Sequence, residues 1–406
     1  MAHVKMLKET NLLSETETRV LLQELRVLYI KAKKGELRIK EGVEDIHSQV
    51  EELLTEKLGE TGKKIHTARS RNDQVLLDLK LFSRHQISTV SDKAYSLFKL
   101  LTELSEKHKE VHMPGYTHLQ AAMPSSFGLW FGAFAESLTD DMIMLSAAYR
   151  IINQNPLGSA AGYGSAFPIR REITTELLGF DDLVYNSIYA QMGRTKTEKI
   201  VAFALSSVAA TLSKLAMDLT LFMSQNFGFV SFPDEFITGS SIMPHKKNPD
   251  VLELIRAKCN KVQALPNEIS LISSNLPTGY HRDHQILKDI YLPSFSILID
   301  CLEMSILILE HIQINKKILE DDRYQYIFSV EEINNKVKTG TPFREAYHEV
   351  AESIASGSFQ TDKTIDHTHK GSIGNLCNYE IKQKMEKIIS EFNFYKAERA
   401  IEKLIQ

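Results

Sequence analysis

Cysteine is scarce. Cys259, Cys301 and Cys377 are the only 3 in 406 residues, odd in number and too scattered for a disulfide framework or a zinc knuckle. That usage fits a reducing compartment, and a cytoplasmic protein is expected. The stretch from Met1 to Asn11 is polar and carries no apolar core of the kind a secretory leader needs. The most hydrophobic run, residues 200–223, is broken by Lys214 and Asp218 into pieces shorter than a membrane span, so no membrane association is expected. An excess of one charge is also missing. Against 48 basic residues stand 52 acidic ones, and a net charge of -4 leaves no electrostatic footprint for a nucleic acid.

Other absences concern local structure. Between Asp73 and Lys109 there is neither proline nor glycine. Apolar or small residues recur there at Val75, Leu79, Phe82, Val90, Ala94, Leu97, Leu101 and Leu104, with Gln86 the polar member of the series. Gaps of three and four define one helical face, and at about 1.5 Å per residue the helix is roughly 50 Å long. The segment 199–225 has apolar residues around most of its circumference, including Val201, Phe203, Leu205, Val208, Leu212, Leu215, Leu219 and Phe222. Such a helix must be surrounded by others, from its own chain or from further subunits. Strand-like alternation is sparse and no βαβ pattern appears, which excludes a doubly wound α/β fold. The glycine-rich run from Gly158 to Gly164 lacks the following Lys-Ser/Thr of a phosphate loop, so a tightly packed turn is the better reading.

The most informative stretch that is present runs from Thr238 through Gly239, Ser240, Ser241, Ile242, Met243, Pro244, His245, Lys246, Lys247, Asn248 and Pro249 to Asp250. Gly239 and the serines favour a mobile loop, and Asn248 followed by Pro249 reads as a cap and first position of a helix. Helix amides next to two ammonium groups form a receptor for carboxylate charge. A serine in that field is helped to lose its proton. An ordinary lysine-bearing surface loop is the plainer alternative.

The pattern Gly-Ser-Ser-Ile-Met-Pro-x-Lys-x-Asn resembles the signature of the fumarase/aspartase superfamily, whose members eliminate or add a group across a fumarate unit. Two other stretches narrow the resemblance. The run His66-Thr67-Ala68-Arg69-Ser70-Arg71-Asn72-Asp73-Gln74-Val75 and the run Pro114-Gly115-Tyr116-Thr117-His118-Leu119-Gln120 look like the argininosuccinate lyase versions of the superfamily's first two regions. Asn155-Pro156-Leu157-Gly158 and the later Tyr280, Gln285 and Lys288 extend the likeness over nearly the whole chain.

The resemblance implies an all-α fold, with an elongated central helical bundle and smaller helical domains at each end. Expected boundaries are residues 1–68, 69–318 and 319–406. It implies a homotetramer with each pocket assembled from three subunits, and cleavage of argininosuccinate to L-arginine and fumarate by β-elimination, in arginine biosynthesis. No cofactor or metal is implied, and His367 and His369 lack the cysteine or carboxylate partners of a metal site. The chemistry needs a base, cationic support for a carbanion delocalised into a carboxylate, and an acid for the leaving nitrogen. The resemblance places the base at Ser240, supported by Lys246 and loop amides. It gives His118 a role at the leaving group or in fixing substrate, with Glu253 as its partner. Substrate contacts fall to Ser70, Arg71, Asn72, Thr117, Ser241 and Asn248, with Tyr280, Gln285 and Lys288 near the arginine end. Arg71 offers a planar fork for carboxylate, whereas Arg69 reads as a helix-start salt-bridging residue. His47 is read equally as a pocket residue or part of a helix face.

Two departures stand out. The family carries a further N-terminal segment with a substrate-binding serine before the equivalent of Ala2 to Leu7, so a truncated N-terminal domain is expected. The segment from Tyr280 to Lys288 lacks two acids common in the family, which leaves a modified argininosuccinate open as substrate. Adenylosuccinate lyase, aspartase and fumarase share the loop chemistry, and a catalytically silent structural homologue is the remaining alternative.

Overall fold

Helices dominate the chain, and in the computed structural model, which describes residues 1–406, they form a long bundle with smaller units at its ends. At the N-terminus α1 (Ala2–Glu9), α2 (Glu15–Lys33) and α3 (Ile46–Leu58) close around Leu7, Leu21 and Leu54. Helix α4 (Arg71–Lys107) leads to a hairpin of β1 (His112–Thr117) and β2 (Gln120–Ser126), then to α5 (Phe127–Ile152), α6 (Arg171–Leu177) and α7 (Lys196–Met223). Strands β3 (Thr238–Gly239) and β4 (Lys247–Asn248) precede α8 (Asp250–Ile272) and α9 (Leu287–Glu310). The remainder comprises α10 (Ser329–Lys338), α11 (Phe343–Ala355), α12 (Asn378–Glu391) and α13 (Phe394–Ile405).

The direction of each long helix follows from its side-chain contacts. Ser83 meets Tyr291 Oη at 2.6 Å and Lys93 meets Glu303 at 2.6 Å, so α4 and α9 run parallel. Lys80 reaches the Ile152 carbonyl at one end of α5 and Ser105 donates to the Gly128 carbonyl at the other, so α4 and α5 are antiparallel. Trp130 bonded to Asp218, and Ser207 to Asp141, reverse the direction again between α5 and α7. Ser213 bonded to Asn260, and Arg256 to Met217 Sδ, do so between α7 and α8. The bundle therefore has a near end, with the starts of α4, α7 and α9, and a far end, with the starts of α5 and α8. Helix α4 has 37 residues, which separates these ends by about 55 Å.

The sequence-predicted face of α4 is the buried one from Val90 onward, where Val90, Ala94, Leu97, Leu101 and Leu104 join the main core. Towards the near end Leu79 of that face is buried too, with Leu76 and Ile87, but they share the interior with polar Asp73, Gln74, Lys80, Ser83 and Arg84. Arg84 is satisfied there by the Asn153 side chain and the Leu178 carbonyl, and such partners are what make a buried cation tolerable. Helix α7 packs on α5, α8 and α9, but Phe203 remains 50% exposed and Met217 45% exposed. Within one chain its circumference is incompletely covered.

The C-terminal portion differs from the expected single end domain. Only α10 and α11 form a small unit of their own, around Ile333, Ala346 and Val350. Helix α12 runs back along the bundle, tied by Asn378 to Ser105 and by Lys384 to Glu136. Helix α13 continues to the near end, where Lys396 binds the Phe180 carbonyl and Asp181, and Leu404 packs with Ala2, Leu178 and Phe180. These apolar faces are buried by partners more than 200 positions away, so local patterning does not reveal where they dock.

Candidate active site

At the far end, the signature stretch is a closed hairpin rather than an open loop. Thr238 pairs with Asn248 and Gly239 with Lys247 in an antiparallel ladder, and the Thr238 hydroxyl bonds the Asp250 carboxylate. The expected helix start moves accordingly: Asn248 lies in β4, Pro249 is the position before the helix, and α8 begins at Asp250 without a side-chain cap. Within the hairpin, Ser240 Oγ accepts from the backbone N–H groups of Met243 (3.1 Å) and Ile242 (3.4 Å). Two amide dipoles aimed at one hydroxyl oxygen favour its anionic form. The Lys246 side chain makes no ion pair or hydrogen bond with Ser240, whereas Lys247 is paired with Asp234 at 2.7 Å. Ser241 and Lys246 are exposed.

The second element at this end is the β1–β2 hairpin. Thr117 pairs with Gln120, which puts His118 and Leu119 at the two turn positions with φ of 52° and 57°. Left-handed backbone at both centres suits a tight hairpin, but for two side-chain-bearing residues it is strained, and such strain collects at functional positions. His118 is exposed on this tip. Just behind the tip the hairpin is anchored by Tyr116, which bonds Tyr324 and packs on Phe227 and Phe229. Glu253 lies one turn into α8 near Arg256, 4.0 Å away. It does not contact His118 in this chain, so the expected pair is not formed within one subunit.

The remaining candidates lie at the near end. Ser70 caps α4: its Oγ accepts from the Asn72 N–H, while Asp73 accepts from the Ser70 N–H at 3.0 Å. The other Asp73 oxygen accepts from the N–H groups of Gly158 and Ala160, both at 2.9 Å, so one carboxylate fastens the glycine-rich turn to the helix start. Burial pushes the Asp73 carboxyl above its usual range, opposed by those three donors and Arg69. The helix-start ion pair foreseen for Arg69 is made by Arg71. Arg71 is the salt-bridging residue, held by Asp45 (2.8 Å), Ser48 (2.9 Å) and Gln74 (3.1 Å). Arg69 keeps a buried Nε without a partner, and burial lowers its pKa to about 10. His47 pairs with Asp78 at 2.7 Å, and His367 with Glu331 at 3.0 Å.

Tyr280, Gln285 and Lys288 do come together. Gln285 donates to Tyr280 Oη at 2.7 Å and Lys288 donates to Gln285 Oε1 at 2.8 Å. Arg194, which sequence reading did not single out, lies 4.9 Å over the Tyr280 ring. No spacing within the sequence links a residue before α7 to one after α8. The cavities of about 410, 760 and 590 Å³ are lined by none of these candidates. Two half-sites about 55 Å apart cannot act on one small molecule unless different subunits bring them together.

Comparison with known proteins is decisive at this point. Residues 1–264 match the family model described as Lyase. The argininosuccinate lyase of Bacteroides fragilis is 60% identical over 405 residues, covering 100% of this chain and 91% of that protein. The chain belongs to the argininosuccinate lyase family. The Parabacteroides distasonis member is 58% identical with the same coverage, and that of Thermotoga neapolitana is 40% identical over 87% of this chain and 88% of its own. Among solved structures, EDDS lyase in complex with formate superposes with a TM-score of 0.82 at 24% identity, covering 100% of this chain and 88% of that one. A fumarate lyase:delta crystallin from Brucella melitensis gives 0.73 at 18% identity, over 96% and 88%. These neighbours support the all-α fold. The argininosuccinate lyase relatives do not favour the fumarase, aspartase, adenylosuccinate lyase or silent-homologue alternatives.

Proposed function

We infer that the chain cleaves argininosuccinate to L-arginine and fumarate, in arginine biosynthesis. The observation that carries this reading is the full-length 60% identity to an argininosuccinate lyase. The far-end geometry supports a division of labour. Ser240, its oxygen facing two amide N–H groups, takes the proton from the succinyl carbon next to a carboxylate. The C–N bond breaks, the new C=C forms, and the electron pair leaves on the guanidino nitrogen, which is protonated. Lys246, free of protein partners, supplies cationic support to the carboxylate that carries the developing charge. His118 serves the leaving nitrogen or fixes the substrate, oriented by Glu253 once subunits meet. Thr117, Ser241 and Asn248 hold the succinyl part.

From the near end, Ser70, Arg71 and Asn72 approach the same substrate, and Tyr280, Gln285 and Lys288 receive its arginine part. A homotetramer is the assembly that fits. Phe203 and Met217 on α7, and Leu254 on α8 at 60% exposure, leave apolar surface along the rods of the kind that marks subunit contacts. A cytoplasmic location accords with the free thiols. Ser240→Ala should lower kcat about 10²–10⁴-fold, the usual contribution of a positioned base, with KM and assembly little changed. Turnover within a few-fold of the unmodified enzyme removes Ser240 from that role.

A further inference from the structure

The near end contains a cavity of about 270 Å³ beside the start of α7, lined by Gln191, Arg194, Lys196, Lys199 and His284 among others. No carboxylate lines it. Two acids lie nearby without lining it: Glu198, which accepts from Thr197 and whose charge acts on both buried Lys80 and Arg194, and Asp283 on the flank of His284.

Three observations agree on what this cavity would receive. The first is the helix end. Helix α7 has 28 residues and no side-chain cap; the Thr195 hydroxyl turns back to the Arg194 carbonyl. The Lys196 and Glu198 N–H groups thus have no acceptor in the chain, and helix N-terminal amides of this kind attract anions. The second is a pair of buried side chains with unmet hydrogen-bonding capacity. Gln191 is 1% exposed with neither amide atom partnered, and His284 is 4% exposed with Nδ1 unpartnered. Orphaned buried polar atoms call for a ligand or an ordered group. The third is backbone strain at Thr195, whose φ is 64°, a conformation that persists only where the surroundings enforce it.

We propose that this cavity is a built oxyanion site, taking a phosphate or carboxylate group between Arg194, Lys199, Gln191 and the amides that open α7. Arg194 is held in place by its stacking on Tyr280, so its charge is set before any anion arrives. The anion has two possible sources, a free ion or a carboxylate borne by the substrate.

Isothermal titration of the full chain with inorganic phosphate, against sodium chloride at equal ionic strength, reads the site directly. Saturable phosphate binding is expected, weakened about tenfold or more by Lys199→Gln. Lys258→Gln, on a remote stretch of α8, should leave it unchanged. Gln191→Leu should weaken it too, and because that position is buried its melting curve is recorded alongside; half-buried Lys199 keeps the test valid if Gln191→Leu fails to fold. No phosphate heat beyond that of chloride, or equal weakening by Lys199→Gln and Lys258→Gln, overturns the proposal. Steady-state fumarate release then separates the sources. Competitive inhibition by phosphate with a raised KM in Lys199→Gln identifies a substrate carboxylate, and inhibition or activation that changes kcat identifies a free anion. Binding is read without turnover, so failure of the site is distinguishable from failure of the lyase assignment.

Discussion

If the half-sites are joined only between subunits, two inactive variants should rescue each other. Ser240→Ala damages the far end and Lys288→Met the near end, and the 37 residues of α4 hold these ends about 55 Å apart in any one chain. An active pocket then needs an intact far end from one subunit and an intact near end from another. In an equimolar, randomly reassembled mixture each condition is met half the time, so about one quarter of the pockets are intact. Fumarate formation, followed by its ultraviolet absorbance after the two variants are denatured together and refolded, should reach about 25% of the unmodified rate. Each variant refolded alone should stay near zero. Simple mixing without denaturation should give less, because exchange requires dissociation. Activity no greater than the mean of the two parents would refute the reasoning, since it requires both ends to serve a pocket from the same chain.

Other consequences follow from single interactions. Asp73→Ala strands three N–H donors, the buried one of Gly158 and the partly buried ones of Ser70 and Ala160, and should cost about 3 kcal/mol of unfolding free energy in urea; Asp73→Asn, which keeps an acceptor, should cost less than half as much. Burial and the Arg194 charge lower the His284 pKa from 6.5 to about 4. The unfolded chain therefore binds the extra proton across that window, so stability falls as pH drops from 6.5 towards 4, and His284→Asn should flatten part of the slope in urea titrations. Leu119→Gly relieves a left-handed residue worth about 1 kcal/mol; the melting temperature should not fall, while kcat should drop because the His118 tip is less constrained.

How much of this was legible in sequence differs from element to element. The length of α4 was visible in its freedom from glycine and proline, and its apolar face from Val90 to Leu104 was visible in the spacing. Of its near-end third, buried Leu79 was visible as well, but buried Lys80, Ser83 and Arg84 were not, because they mimic a solvated face and depend on the Ile152 and Leu178 carbonyls and Asn153 supplied by distant segments. The β1–β2 hairpin carries Pro114, Gly115 and Pro124, residue types that weaken any strand signal in the sequence. The bulge between Pro114 and Tyr116 is where the register accommodates them. Motif residues at Ser240 and Tyr280 could be named from the sequence, but their placement at opposite ends follows from helix directions that only tertiary contacts set. The Arg71 ion pair with Asp45 was missed for a related reason, since Asp45 lies 26 positions earlier, on the turn that opens α3.

The central claim is that the chain releases fumarate from argininosuccinate through Ser240. Its most direct test is fumarate formation by the assembled enzyme and by Ser240→Ala, with argininosuccinate, adenylosuccinate, aspartate and malate assayed side by side. Turnover of argininosuccinate far above the other three, abolished in Ser240→Ala without loss of assembly, is the predicted result. Preferential release from another of these substrates, or a Ser240→Ala enzyme that keeps its rate, would contradict it.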